Sequence, residues 1–77
     1  MTLNNGTIGC TYIVEDIQTS ANIERRLQAL GLFKGTPIEL LNKKKSGTSI
    51  FKVRGTRLAV GPEIARGIMI QGGDDHE

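Results

Sequence analysis

Cys10, Asp74, Asp75 and His76 carry the donor atoms that ferrous iron or zinc would take. The last three are adjacent, behind Gly72 and Gly73, in a stretch that supplies neither fixed geometry nor outer hydrogen-bond partners. At most they would hold Fe2+ or Zn2+ weakly and transiently, and they imply no metal site. Cys10 lies in a strand-like run and reads as a small core residue. Acid–base chemistry has no seat, because His76 is the single histidine and completes no serine, histidine and acid set. Glu15 and Asp16, as strand neighbours, point to opposite faces. Glu63 follows Pro62 at a helix start, where a carboxylate complements the dipole. No glycine-rich loop precedes a helix to cradle phosphate. The reactive residues therefore imply no enzyme, no resident cofactor and no small-molecule substrate.

Charge and apolar surface are what remain. Residues 1–70 carry all ten Lys and Arg against Glu15, Asp16, Glu24, Glu39 and Glu63, a net of +5 in a chain whose overall charge is +2. A basic body suits an anionic partner, whether protein, headgroup surface or nucleic acid. Arg25, Arg26 and Lys34 are candidate partner contacts; otherwise the arginines solvate a helix face while their stems cover apolar surface. Lys43, Lys44 and Lys45 form the densest positive run, at a hairpin tip where they either meet anionic headgroups or discourage edge-to-edge association. Leu41 and Ile50 fall on the outward register of facing strands and are the apolar contact candidates. Aromatics make up 4% of the chain, too few to provide an evident base-stacking platform, which disfavours nucleic acid.

The elements that position these residues follow from spacing. At 77 residues with ten Gly, the chain is one small, turn-dense domain, with a core at about residues 6–70 and a flexible acidic tail at 71–77. Met1 to Gly6 read as a fraying segment or short edge. A strand runs from Cys10 to Ile17, with Cys10, Tyr12 and Val14 on one face. Thr19, Ser20 or Asn22 caps a helix whose stripe is Ile23, Leu27 and Leu30, and Gly31 ends it. After a turn glycine at Gly35, Thr36 to Lys43 and Ser49 to Arg54 form a hairpin with Ile38, Leu40, Phe51 and Val53 inward. Gly55 and Thr56 lead into Arg57 to Val60. Gly61 to Arg66 make one helical turn, with proline at its first position, and Ile68 to Ile70 form the last strand. The sum is mainly β: a small, strongly bent barrel of about five strands. One helix is inserted after the first strand and a short helical turn precedes the last. A single cysteine, no leader-like start and no long apolar run imply a soluble, cytoplasmic protein.

With the residues in that order, the chain resembles the FeoA family of bacterial ferrous iron transport. The resemblance is carried by Arg26, Leu27, Leu30, Gly31, Leu32, Gly35 and Ile38 in the middle, and by Gly55 through Leu58, Glu63, Ala65, Ile68 and Ile70 at the end. It spans about Gly9 to Ile70. The resemblance implies an SH3-like barrel without enzymatic activity, acting by protein contact with FeoB, the membrane GTPase permease. That contact would recruit it to the inner face of the cell membrane through the partner alone. Alternatives from other classes are a nucleic-acid-binding small barrel and a metal-sensing SH3-like module of an iron-dependent regulator.

Overall fold

In the computed structural model, which describes residues 1–72, five strands carry the alternation. They are β1 (Thr11–Ile17), β2 (Pro37–Lys43), β3 (Ser49–Val53), β4 (Thr56–Val60) and β5 (Ile68–Gly72). Helix α1 (Ala21–Ala29) follows β1, and the short α2 (Pro62–Ala65) precedes β5. All strands belong to one antiparallel sheet in the order β4-β3-β2-β1-β5. The barrel is therefore open. Its end strands, β4 and β5, do not pair, and α2 joins them, starting at Pro62, which has no N–H to offer an edge.

The inner faces pack as their alternation demands. Tyr12 and Val14 of β1, Ile38 and Leu40 of β2, Phe51 and Val53 of β3, Leu58 and Val60 of β4, and Ile68 and Ile70 of β5 are all buried, as is Cys10. Each such side chain contributes about 1.5–3 kcal/mol when fully removed from water. That suffices for a small domain only because nearly every inward position is used.

The corner from α1 to β2 holds the core together. Ser20 Oγ accepts from the Ile23 amide at 3.2 Å, the cap that starts α1. The helix ends at Ala29, with Gly31 at φ +101°. That left-handed residue turns the chain, so Leu32 rather than Leu30 enters the core: Leu32 is fully buried, whereas Leu30 is 50% exposed. The apolar stripe expected through Leu30 thus stops at Leu27. The corner is stitched to β1, where the Gly35 amide donates to the Val14 carbonyl at 2.7 Å and the Val14 amide to Thr36 at 3.0 Å.

Of the two forms expected for the N-terminal segment, the short edge is the one taken, and the last strand runs longer than expected. Met1 to Gly6 do not fray: residues Leu3–Asn5 form a 3-10 turn with Leu3 fully buried. Thr2 bridges to Met69, and the Ile70 amide donates to the Met1 carbonyl at 2.8 Å. The last strand continues past Ile70, pairing Gln71 with Ile13 and Gly72 with Tyr12.

Candidate functional site

The outward face of β2, β3 and β4 is where exposed cations and half-buried aliphatic residues meet. Register places Thr11, Glu39, Lys52 and Arg57 in one row across four strands. The next row is set by a bulge. Pairing runs Leu40 to Phe51 and then Asn42 to Ile50, so Leu41 and Asn42 together oppose one residue. Without the extra residue, the alternation after Leu40 would stay in step with β3. With it, Leu41 and Asn42 both come to lie beside Ile50, and Ala59 of β4 pairs with Ile50 on the far side.

Three shallow hollows follow these rows. One of about 590 Å³ is lined by Glu39, Leu41, Lys52, Gly55 and Arg57. A second of about 380 Å³ lies between Leu41, Asn42, Lys44, Ile50 and Arg57. A third of about 260 Å³ reaches back over Thr11, Pro37, Lys52 and Arg54. Shared lining residues make them one continuous surface. The β3–β4 connection that borders it is a two-residue turn with φ +51° at Arg54 and +80° at Gly55, the geometry that keeps tightly paired strands in twist.

Leu41 and Ile50, expected outward on facing strands, are thus brought together in a single hollow. Arg25 and Arg26 are exposed on α1, with Arg26 on the rim of a separate apolar groove of about 180 Å³ between Leu27, Leu30, Val60 and Ile64. Lys34 is exposed but committed, its Nζ lying 3.5 Å from Asp16 Oδ1. Asp16 is held below its ordinary carboxylate pKa by hydrogen bonds from the Gln18 side chain and the Ile17 amide, with Lys34 adding a smaller pull. Lys43, the last residue of the expected strand and the first of the hairpin-tip lysines, closes β2 and donates to the Gly6 carbonyl at 2.8 Å. Asp74, Asp75 and His76 lie outside the described residues. Among the described residues, no three His, Cys, Asp or Glu side chains gather to hold a metal ion.

Glu39, Lys52, Arg54 and Arg57 were not among the expected site residues, whereas Lys44 entered only as part of the hairpin-tip lysine run. Alternation already turns Lys52 outward, but only the cross-strand register sets Arg57 beside it. No helix of the described residues is long and apolar enough to cross a membrane.

A family model for the FeoA domain matches residues 1–72. The chain belongs to the FeoA family. FeoA proteins are associated with ferrous iron transport, and the fold is shared with solved relatives. The chain is 24% identical to the FeoA protein of Chlorobium tepidum, covering 100% of this chain and 79% of that one, with a TM-score of 0.85. It is 30% identical to Stenotrophomonas maltophilia FeoA, covering 92% of this chain and 89% of that one, with a TM-score of 0.77. The latter, solved with zinc, is described as a prokaryotic SH3 domain protein and proposed as a bacterial ferrous iron transport activating factor. The SH3-like class expected from the sequence therefore holds, with the sheet left open. A manganese-dependent transcriptional repressor shares the fold at 17% identity and a TM-score of 0.80, over 88% of this chain and 39% of that one. No curated protein matches the chain.

Proposed function

We propose that this FeoA-family chain is a cytoplasmic accessory protein of bacterial ferrous iron transport, which acts by docking on a FeoB-type GTPase permease and performs no catalytic step of its own. The observation that carries this reading is the FeoA domain match over residues 1–72. The 30% identity to a relative proposed as a transport activating factor supports it. So does the surface, which offers shallow hollows and exposed cations suited to another macromolecule rather than an enclosed substrate pocket. Recruitment to the inner face of the membrane then comes through the partner.

Calorimetric titration of the chain against the soluble GTPase region and cytosolic loops of the cognate permease tests the reading. Saturable binding is expected, together with impaired ferrous iron uptake in a deletion strain. Absence of binding to every cytosolic part, with uptake intact, overturns it. The likeness to the manganese-dependent repressor concerns fold alone and favours no regulatory role.

A further inference from the structure

We propose that the outward face of β2, β3 and β4 is the docking surface, and that its occupant is an extended acidic segment of the partner protein carrying an apolar side chain for the hollow between Leu41 and Ile50. This inference rests on the docking reading above and gives it a location.

Charge is the first ground. Lys44, Lys52, Arg54 and Arg57 border the three connected hollows against one carboxylate, Glu39. Among the described residues, the one ion pair is Lys34 with Asp16, so none of these four cations is neutralised by another described residue. Even Glu39 and Lys52, directly opposite in register, form no ion pair. A row of uncompensated cations on a sheet attracts carboxylates, and an arginine can hold one through two parallel hydrogen bonds. Arg54 adds a backbone argument. It holds a left-handed φ of +51°, a position that glycine or asparagine fills with less strain, yet it carries a long cation at the edge of the face.

The apolar component is the second ground. Leu41 is the extra residue of the bulge and lines one hollow together with Ile50, Asn42, Lys44 and Arg57. Bulges re-aim side chains next to functional sites, and this one places an aliphatic anchor beside the charge. Exposed ion pairs alone contribute little, so the hollow supplies the affinity while the cations set orientation and encounter rate. The α1 corner is the weaker surface. Its groove is about 180 Å³ and Arg26 is the one cation lining it, while Lys34 is already paired with Asp16. The sheet face has no aromatic lining on which a base would stack.

Amide shift mapping and calorimetry of the full chain with the cytoplasmic region of the cognate permease test the proposal. Shifts are expected on Leu41, Ile50, Lys52 and Arg57. The double variant Lys52→Glu with Arg57→Glu should weaken binding by about tenfold or more, and Leu41→Ser by a comparable factor. Arg25→Glu with Arg26→Glu should change it by no more than about threefold. The charged positions are exposed and Leu41 is half-buried, and shift mapping of the unaltered protein gives the answer independently of any variant. Absence of binding by the unaltered chain overturns the docking reading itself. Binding that survives the sheet-face double variant, or shifts confined to α1, overturns this inference alone. Stronger shifts at the same residues from GTP, single-stranded RNA or phosphatidylglycerol vesicles than from the permease region would overturn the acidic segment as occupant.

Discussion

Gly67 shows how little slack a chain of this size has at single positions. A methyl group there would overlap the Gln18 carbonyl oxygen, and the Gln18 amide already donates to the Gly67 carbonyl at 2.6 Å. The requirement is close approach of two backbones rather than a special φ. Gly67→Ala should therefore destabilise the fold by about 1–3 kcal/mol, read as a lower urea midpoint at unchanged slope. Asp16 is a second informative residue. Its carboxylate is stabilised in the folded state by the Gln18 side chain first, then the Ile17 amide, then Lys34. The folded pKa lies below the unfolded one, so the contribution is present above the unfolded pKa and is lost as pH falls through the folded one. A carbon-detected titration should find its midpoint below that of a free aspartate. Gln18→Ala should raise the midpoint; a midpoint left unchanged would remove the Gln18 hydrogen bond as the leading cause.

At the scale of elements, the N-terminal 3-10 turn acts as a plug. Leu3 is fully buried, and the turn is tied on both sides by the Thr2 bridge to Met69 and by Thr7, whose amide donates to Tyr12 Oη at 2.7 Å. Leu3→Ala should cost about 2–5 kcal/mol, measurable by thermal or urea unfolding. That plug was hidden in the sequence because a lone leucine among Thr and Asn has no period to reveal it. The strands were legible, since Ile38, Leu40, Phe51, Val53, Leu58 and Val60 alternate cleanly and every one is buried. So was the turn at Gly31, although the residue delivered to the core is Leu32 and not Leu30. The candidate surface was half legible. Leu41 and Ile50 announced themselves by outward position, but their meeting depends on a bulge that no single strand's alternation encodes. Lys52 and Arg57 become neighbours only through β3–β4 register.

At the scale of the whole molecule, a basic body with four of its ten Lys and Arg bordering one sheet face should bind in a salt-dependent way. Raising ionic strength from about 0.05 M to about 0.5 M shortens the screening length well below the width of the face, so partner association should slow and weaken. The unfolding midpoint should not fall over the same range, because the described part has a single, exposed ion pair to lose and screening relieves repulsion among its cations. An affinity indifferent to salt would point to the α1 groove instead. The open sheet has a further consequence, for the order in which the chain folds. The meander β2–β3–β4 is joined by two short turns, whereas the seam between β1 and β5 unites Tyr12 with Gly72 across most of the sequence. Contacts between near neighbours close at small entropic loss, and the long closure comes last. Native-state hydrogen exchange should therefore show the β5 amides opening before those of β3. The proposed docking face belongs to the half of the sheet expected to form first and open last, so a molecule whose seam has momentarily parted should still present it.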